Sequence, residues 1–344
     1  MIIPRAFIAG IFCASLGILQ AQVNVVKTLA PNVYFHEGDI KSKGHCNNGW
    51  IILEDYVLVI DANFPSGAEE IIPKIKKQTD KPIRFALDTH HHGDHAYGNA
   101  IWVREGAVPV AHTGVREEMK KYEPNRWNDA AKGRKDVADS KLKEPTLLFL
   151  KELFFDDGKH RVELHHFGVA HTHGDSFAWL PNERILFTGD ACVNGPYNFV
   201  GDGHIGKWIE TLEAARRLNP TVVCPGHGPV GDASMLEDQQ NFFRELVAQA
   251  KKLMDAKAGS KQIKDQVESI KADVRKNPRI ARYVGDGFAG QLEKAFVELG
   301  GNAFMAREER EMERHKHEHA HGEDHHHHGD VKPAASTKPV RPGA

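Results

Sequence analysis

Residues 89–95 read Thr89-His90-His91-His92-Gly93-Asp94-His95 and follow directly on a short apolar run at 83–87. Such a run, with β-branched and aromatic members, is a strand, so the cluster sits in the turn at its end. His90 and His92, two residues apart on extended backbone, leave the same side. Gly93 relaxes the turn that carries Asp94 and His95. Imidazole and carboxylate are ligands for zinc and similar divalent ions. Four such groups exceed what one open tetrahedral site accepts, so they suit two ions, each completed from elsewhere in the sequence.

Three later segments can supply the completion. His171 lies in Gly168-Val169-Ala170-His171-Thr172, Asp190 in Phe187-Thr188-Gly189-Asp190, and His227 in Pro225-Gly226-His227-Gly228. Each follows an apolar run and has glycine close by, the form of a strand-end loop, where sites are built. His91, His165, His166, His173 and His204 read as supporting or surface residues.

The order of strands and helices gives the frame. Strand character occurs at 33–36, 50–53, 56–60 and 83–87, and again at 146–150, 162–166, 177–180, 185–188 and 221–224. Helical periodicity occurs at 67–79, 98–105, 114–122 and 208–218, with a short strand at 108–111; residues 124–144 read as a loop with helical pieces. Strands followed by helices, twice, imply two similar halves stacked sheet to sheet with helices outside. From about Ser234 the sequence turns to charged, helix-forming stretches at 235–258, 261–276 and 289–299.

The set H-x-H-x-D-H, then H-T, then G-D, then P-G-H-G resembles the metallo-β-lactamase fold superfamily over roughly residues 23–232. The resemblance implies an α/β fold, a four-layer αββα sandwich, here with a C-terminal helical extension. By resemblance, His90, His92 and His171 hold one ion and Asp94, His95 and His227 a second. Asp190 then bridges both, and Asp61 is the acidic residue behind the site. The implied cofactor is two zinc ions, with iron or manganese as alternatives. Two ions about 3.5–4 Å apart lower the pKa of a shared water toward 7, and the hydroxide attacks a carbonyl or related ester centre. Asp94 orients the nucleophile and carries a proton to the leaving group.

The substrate is a small molecule: a β-lactam, lactone, ester or thioester. Lactamases with a Cys ligand carry Cys where this protein has Asp190, and a Lys three residues later, where it has Val193. On that comparison, Val193→Lys should improve binding of carboxylate-bearing lactams. The segment Asn198…Gly201-Asp202…Trp208 is also lactamase-like. A mononuclear iron sulfur dioxygenase, or a β-lactamase proper, is the alternative; the complete set of seven ligands speaks against the dioxygenase.

Acidic and basic residues nearly cancel, 47 against 45, which removes the electrostatic case for nucleic acid. Residues 6–19 are apolar or small and follow Arg5, the pattern of a secretory signal over 1–21. The expected organisation is a signal at 1–21, a catalytic domain at 22–234, a helical extension at 235–312 and a His-rich tail at 313–344. The mature protein is then periplasmic or secreted and not membrane-bound. Cys46, Cys192 and Cys224 make either one bridge and a free thiol or three buried thiols. Eight of the 22 histidines lie between His315 and His328, a tract with no apolar residue larger than Ala320 that cannot form a core and can bind extra metal ions.

Overall fold

The computed structural model describes residues 23–310 and 312. The signal-like segment and the His-rich tail lie outside them. In sequence order the first half runs β1 (Val26–Ala30), β2 (Val33–His36), β3 (Asn48–Ile52), β4 (Val57–Ile60), α1 (Pro65–Lys76), β5 (Ile83–Asp88), α2 (Gly93–Ala96), α3 (Asn99–Arg104), β6 (Val108–His112), α4 (Thr113–Gly133), α5 (Lys135–Ala138) and β7 (Leu147–Phe149). The second half runs β8 (Glu152–Asp156), β9 (Arg161–His165), β10 (Phe177–Leu180), β11 (Ile185–Gly189), α6 (Ile205–Arg216) and β12 (Val222–Pro225). Then come α7 (Ser234–Asp255), α8 (Ser260–Arg275), a 3-10 turn (Ala281–Tyr283) and α9 (Phe288–Glu298).

The strands form a seven-stranded sheet in sequence order, β1 to β7, and a five-stranded sheet ordered β12-β11-β10-β9-β8. The alternation of side chains along each strand separates three apolar layers. Ile51, Leu58 and Ile60 face Leu164, Leu180 and Phe187 between the sheets. Their neighbours Trp50, Val57 and Val59 face Ile71, Ile75 and Trp102 of α1 and α3. On the far side, Phe177, Trp179 and Leu186 pack on Trp208, Phe242, Phe243 and Leu292 of α6, α7 and α9. This is the expected αββα sandwich, and the C-terminal helices share a core with the second sheet.

Two strands escaped the sequence reading. β1 and β8 are edge strands, as are β7 and β12; β1 buries no residue fully, and β8 buries an alternating face but carries the apolar Phe154 on its outer one, which hides the period. The loop expected at 124–144 is in large part helix, because α4 continues through Pro124 to Gly133. Proline removes one helical hydrogen bond and disfavours this. Tertiary contacts on either side hold the turn: the Tyr97 hydroxyl donates to Glu123 at 2.5 Å, and Arg126 pairs with Glu123 at 3.2 Å and Asp202 at 2.7 Å. The three described cysteines are free and buried.

The pairs β4–β5, β5–β6 and β11–β12 are parallel. Asp61 follows β4, His90 to His95 follow β5, Asp190 follows β11 and His227 follows β12. Parallel pairing places these carboxyl ends along one rim of the sandwich, the rim where open α/β sheets bind ligands.

Candidate metal centre

The seven expected residues meet at that rim, and six of them are at most 8% exposed. They fall into overlapping groups. His90, His92 and His171 bring one nitrogen each within 4.8 Å of the others, as do Asp94, His95 and His227 with one ligand atom each; His90, His95 and Asp190 form a third such set. Asp190 lies between: its Oδ2 is 3.7 Å from His171 Nε2 and 3.3 Å from His227 Nε2, and its Oδ1 is 3.4 Å from His95 Nε2. Asp94 Oδ2 is 3.1 Å from His227 Nε2 and 3.4 Å from His95 Nε2.

Hydrogen bonds on the outer side of each ring decide which nitrogen faces inward. His171 Nδ1 donates to the Phe199 carbonyl at 2.9 Å. His92 Nε2 donates to Asp202 at 2.8 Å. The Thr89 hydroxyl gives its hydrogen to Asp61 at 2.7 Å, so its oxygen is left to accept from His90 Nδ1 at 3.2 Å. His171 Nε2, His92 Nδ1 and His90 Nε2 are thereby bare lone pairs, and they converge: 2.9 Å between His171 and His92, 3.1 Å between His90 and His92. Lone pairs pressed together repel unless a cation lies between them. Two nitrogens on one tetrahedral zinc stand about 3.4 Å apart, close to these separations. The donor set therefore fits a metal.

Charge divides the centre in the same way. Burial, reinforced by the neighbouring imidazoles, holds His90 well below the usual histidine range. Burial also holds His92 well below it, against the pull of Asp202. Both are thus in the neutral form that binds metal. On the other side burial alone would raise Asp94 and Asp190, but the imidazoles of His95 and His227 outweigh it and hold both carboxylates well below their ordinary range.

Asp61 stands behind His95, its Oδ2 3.0 Å from Nδ1 and its Oδ1 accepting from the Thr89 amide at 3.0 Å. Its backbone is left-handed, φ 65°, a conformation uncommon outside glycine but tolerated by aspartate. Asn47 pinches the His227 loop, donating to the carbonyls of Pro225 and Gly228, each at 2.8 Å.

Supporting residues that the sequence reading did not assign are Asp202, Arg126 and Phe199. Arg126 grips Asp202 with both terminal nitrogens, at 2.7 and 3.0 Å. Burial would raise Asp202, but His91, His92 and Arg126 hold it far below the ordinary carboxylate range. His91 points away from the centre toward Glu118, Glu123 and Asp202, at 3.3, 3.6 and 3.6 Å. The rings of Tyr197 and Phe199 flank the centre, 5.7 Å from His227 and 5.7 Å from His92. Val193 is fully buried and its amide donates to Gln239 at 2.8 Å. His165, His166, His173 and His204 are not among the groups that converge here.

Residues 42–227 match the family model of the metallo-beta-lactamase superfamily. A metallo-beta-lactamase type 2 from Bacillus cereus is 24% identical over 220 residues, 61% of this chain and 79% of that protein. A probable hydroxyacylglutathione hydrolase from Schizosaccharomyces pombe is 28% identical over 195 residues, 54% of this chain and 65% of that protein. Among solved structures, a metallo-beta-lactamase from Pontibacter korlensis superposes with a TM-score of 0.55 at 20% identity, covering 64% of this chain and 98% of that one.

Proposed function

The chain belongs to the metallo-beta-lactamase superfamily and is a metal-dependent hydrolase, and from that premise we propose a dinuclear zinc enzyme that cleaves a carbonyl ester, thioester, lactone or lactam. The observation that carries the reading is Asp190, whose two oxygens face ligand atoms of both groups. In this reading His90, His92 and His171 hold one ion, Asp94, His95 and His227 the other, and Asp190 both. When bound, such ions supply Lewis acidity, making a water nucleophilic near neutral pH and stabilising charge on the substrate oxygen.

The protein's own groups do the rest. Asp94 orients the attacking water through one carboxylate oxygen and returns a proton to the leaving group. Asp61 and Asp202 hold the rings of His95 and His92, so the centre needs no rearrangement during the reaction. Tyr197 and Phe199 offer aromatic faces to the substrate on either side. Aspartate rather than cysteine at 190, and a buried valine at 193, favour a substrate that needs no lysine anchor.

Among the described residues no helix is long and apolar enough to cross a membrane. Export through residues 1–21, a catalytic unit at 22–234, an extension at 235–312 and metal capture by the tail at 313–344 complete the proposal. The experiment is elemental analysis of the purified protein truncated after Arg314, so that metal on the His-rich tail is not counted, together with hydrolysis of nitrocefin, a lactone, a thioester, a phosphodiester and an alkyl sulfate. About two zinc ions per catalytic unit and turnover of a carbonyl substrate are expected. One iron and no zinc would favour the dioxygenase instead.

A further inference from the structure

The C-terminal helices reach the supports of the metal centre without reaching the centre. Gln291 on α9, buried at 3% exposure, donates from Nε2 to the Asn198 carbonyl at 2.7 Å. Glu298, at the end of α9, accepts from the first amides of α6, Ile205 at 3.0 Å and Gly206 at 3.2 Å. It also lies 3.1 Å from His204 Nδ1. Just before α9, Gly285 sits so near the start of the segment that a Cβ there would be 2.7 Å from Pro196 Cβ. Residues 194–206 are thus pinned from outside at three places.

The inner side of the same segment touches the centre. Phe199 offers the carbonyl that takes the His171 Nδ1 hydrogen, and Asp202 the carboxylate that takes the His92 Nε2 hydrogen. These bonds settle which nitrogen of each ring is bare. His171 is held in the tautomer opposite to the one free histidine favours, so it depends on the Phe199 carbonyl staying in place. A carbonyl retreating by about 1 Å would leave hydrogen-bonding range. His171 could then carry its hydrogen on Nε2, pointing at His92 and closed to a metal.

We propose that α9 is a strap that sets the tautomers of His171 and His92 through residues 194–206, and thereby the affinity of the ion they hold, with Gln291 and Glu298 as its positioning residues. The tautomer half stands on the hydrogen bonds alone; the affinity half rests on the reading of these histidines as ligands. The strap lies beyond residue 227, where the superfamily match ends.

The test is Gln291→Met in the full-length protein, which keeps the side chain's length and removes the donor. Nitrogen NMR of the imidazoles in metal-free protein reads the tautomers; competition with a chromophoric chelator reads zinc affinity. The control is Glu293→Gln on the same helix. Its carboxylate accepts from the amides of Phe304 and Met305 and pairs with Arg310, so it makes its hydrogen bonds and ion pair away from residues 194–206. Gln291→Met should mix the His171 tautomers and weaken zinc about 3- to 10-fold, less than the roughly 10- to 100-fold lost when a group bonded directly to a ligand is removed, because Gln291 acts one bond further out. Glu293→Gln should lower stability and leave both readouts unchanged. The proposal is overturned if Gln291→Met keeps a single His171 tautomer and wild-type affinity, or if Glu293→Gln moves both readouts equally. Should Gln291→Met not fold, Glu298→Gln is read by the same two outcomes. A wild type with the stated tautomers that binds no zinc would remove the metal reading and leave the strap to the tautomer readout.

Discussion

Gly226 stands one residue before His227, and the space around it explains why a glycine is there. A Cβ added at this position would lie 2.0 Å from Asp190 Oδ1, 2.7 Å from the Gly189 carbonyl carbon and 2.9 Å from the Asp190 amide nitrogen. Its φ is not among the positive ones, so Gly226→Ala carries no backbone penalty and acts by contact alone. Ordinary contact needs about 3.5 Å, so something must move by more than about 1 Å. The backbone resists, because the Gly226 amide donates to the Gly189 carbonyl at 2.8 Å and to the Cys192 carbonyl at 3.3 Å. The Asp190 carboxylate is the softer partner, and its displacement separates it from His95, His171 and His227 together.

Overpacking of this kind costs about 1–3 kcal/mol, so Gly226→Ala should fold with a lowered midpoint. A misplacement of about 1 Å at a reacting centre costs on the order of 100-fold in rate. The assays are urea unfolding of metal-free protein, zinc content by elemental analysis, and turnover of whichever carbonyl substrate is cleaved. Gly133→Ala is the matched control: a Cβ there meets nothing within 4 Å, and alanine favours the end of α4. Wild-type zinc content and turnover in Gly226→Ala would refute the argument that Asp190 is placed by this contact.

Asp94→Asn should leave a folded protein and reduce hydrolysis by several orders of magnitude, because in the proposed reading the carboxylate is at once ligand and proton carrier; near wild-type turnover would contradict both roles. Val193→Lys, expected from the sequence to strengthen binding of carboxylate-bearing lactams, should instead lower the melting temperature without lowering KM, since position 193 is wholly buried and an unpaired ammonium there is costly. An improved KM with unchanged stability would restore the first expectation. Burial, aided by Lys74 at His36 and by His166 at His112, and opposed by Glu70 at His45, lowers these three histidines to about 4 from 6.5. The unfolded protein takes up these three protons first on acidification, so the stability these three histidines contribute above pH 6.5 is lost as pH drops toward 4. His112→Asn should therefore raise the metal-free unfolding midpoint at pH 5 relative to that at pH 7; an unchanged difference between the two would contradict this.

The seven central residues were legible in the sequence because each lies in a short local pattern: a histidine or aspartate just after an apolar strand, with a glycine close by. The apolar runs at β3, β4 and β10 likewise announced strands, but because they are buried on both faces only the tertiary structure decided which side chains face the other sheet and which face helices. β1 was not legible because it buries no residue fully, and β8 because the apolar Phe154 on its outer face masks the alternation. Pro124 pointed to a loop, and the helix persists there because Tyr97, Arg126 and Asp202, distant in sequence, hold it.

The same distinction separates the ligands from what orients them. A histidine's identity as a donor is in its residue type. Which of its nitrogens is bare depends on a carbonyl at residue 199 and a carboxylate at 202, held in turn by Arg126 from α4 and Gln291 from α9. A backbone carbonyl has no signature in a sequence, because every residue has one. Only the packing of the helices on the second sheet decides where it points.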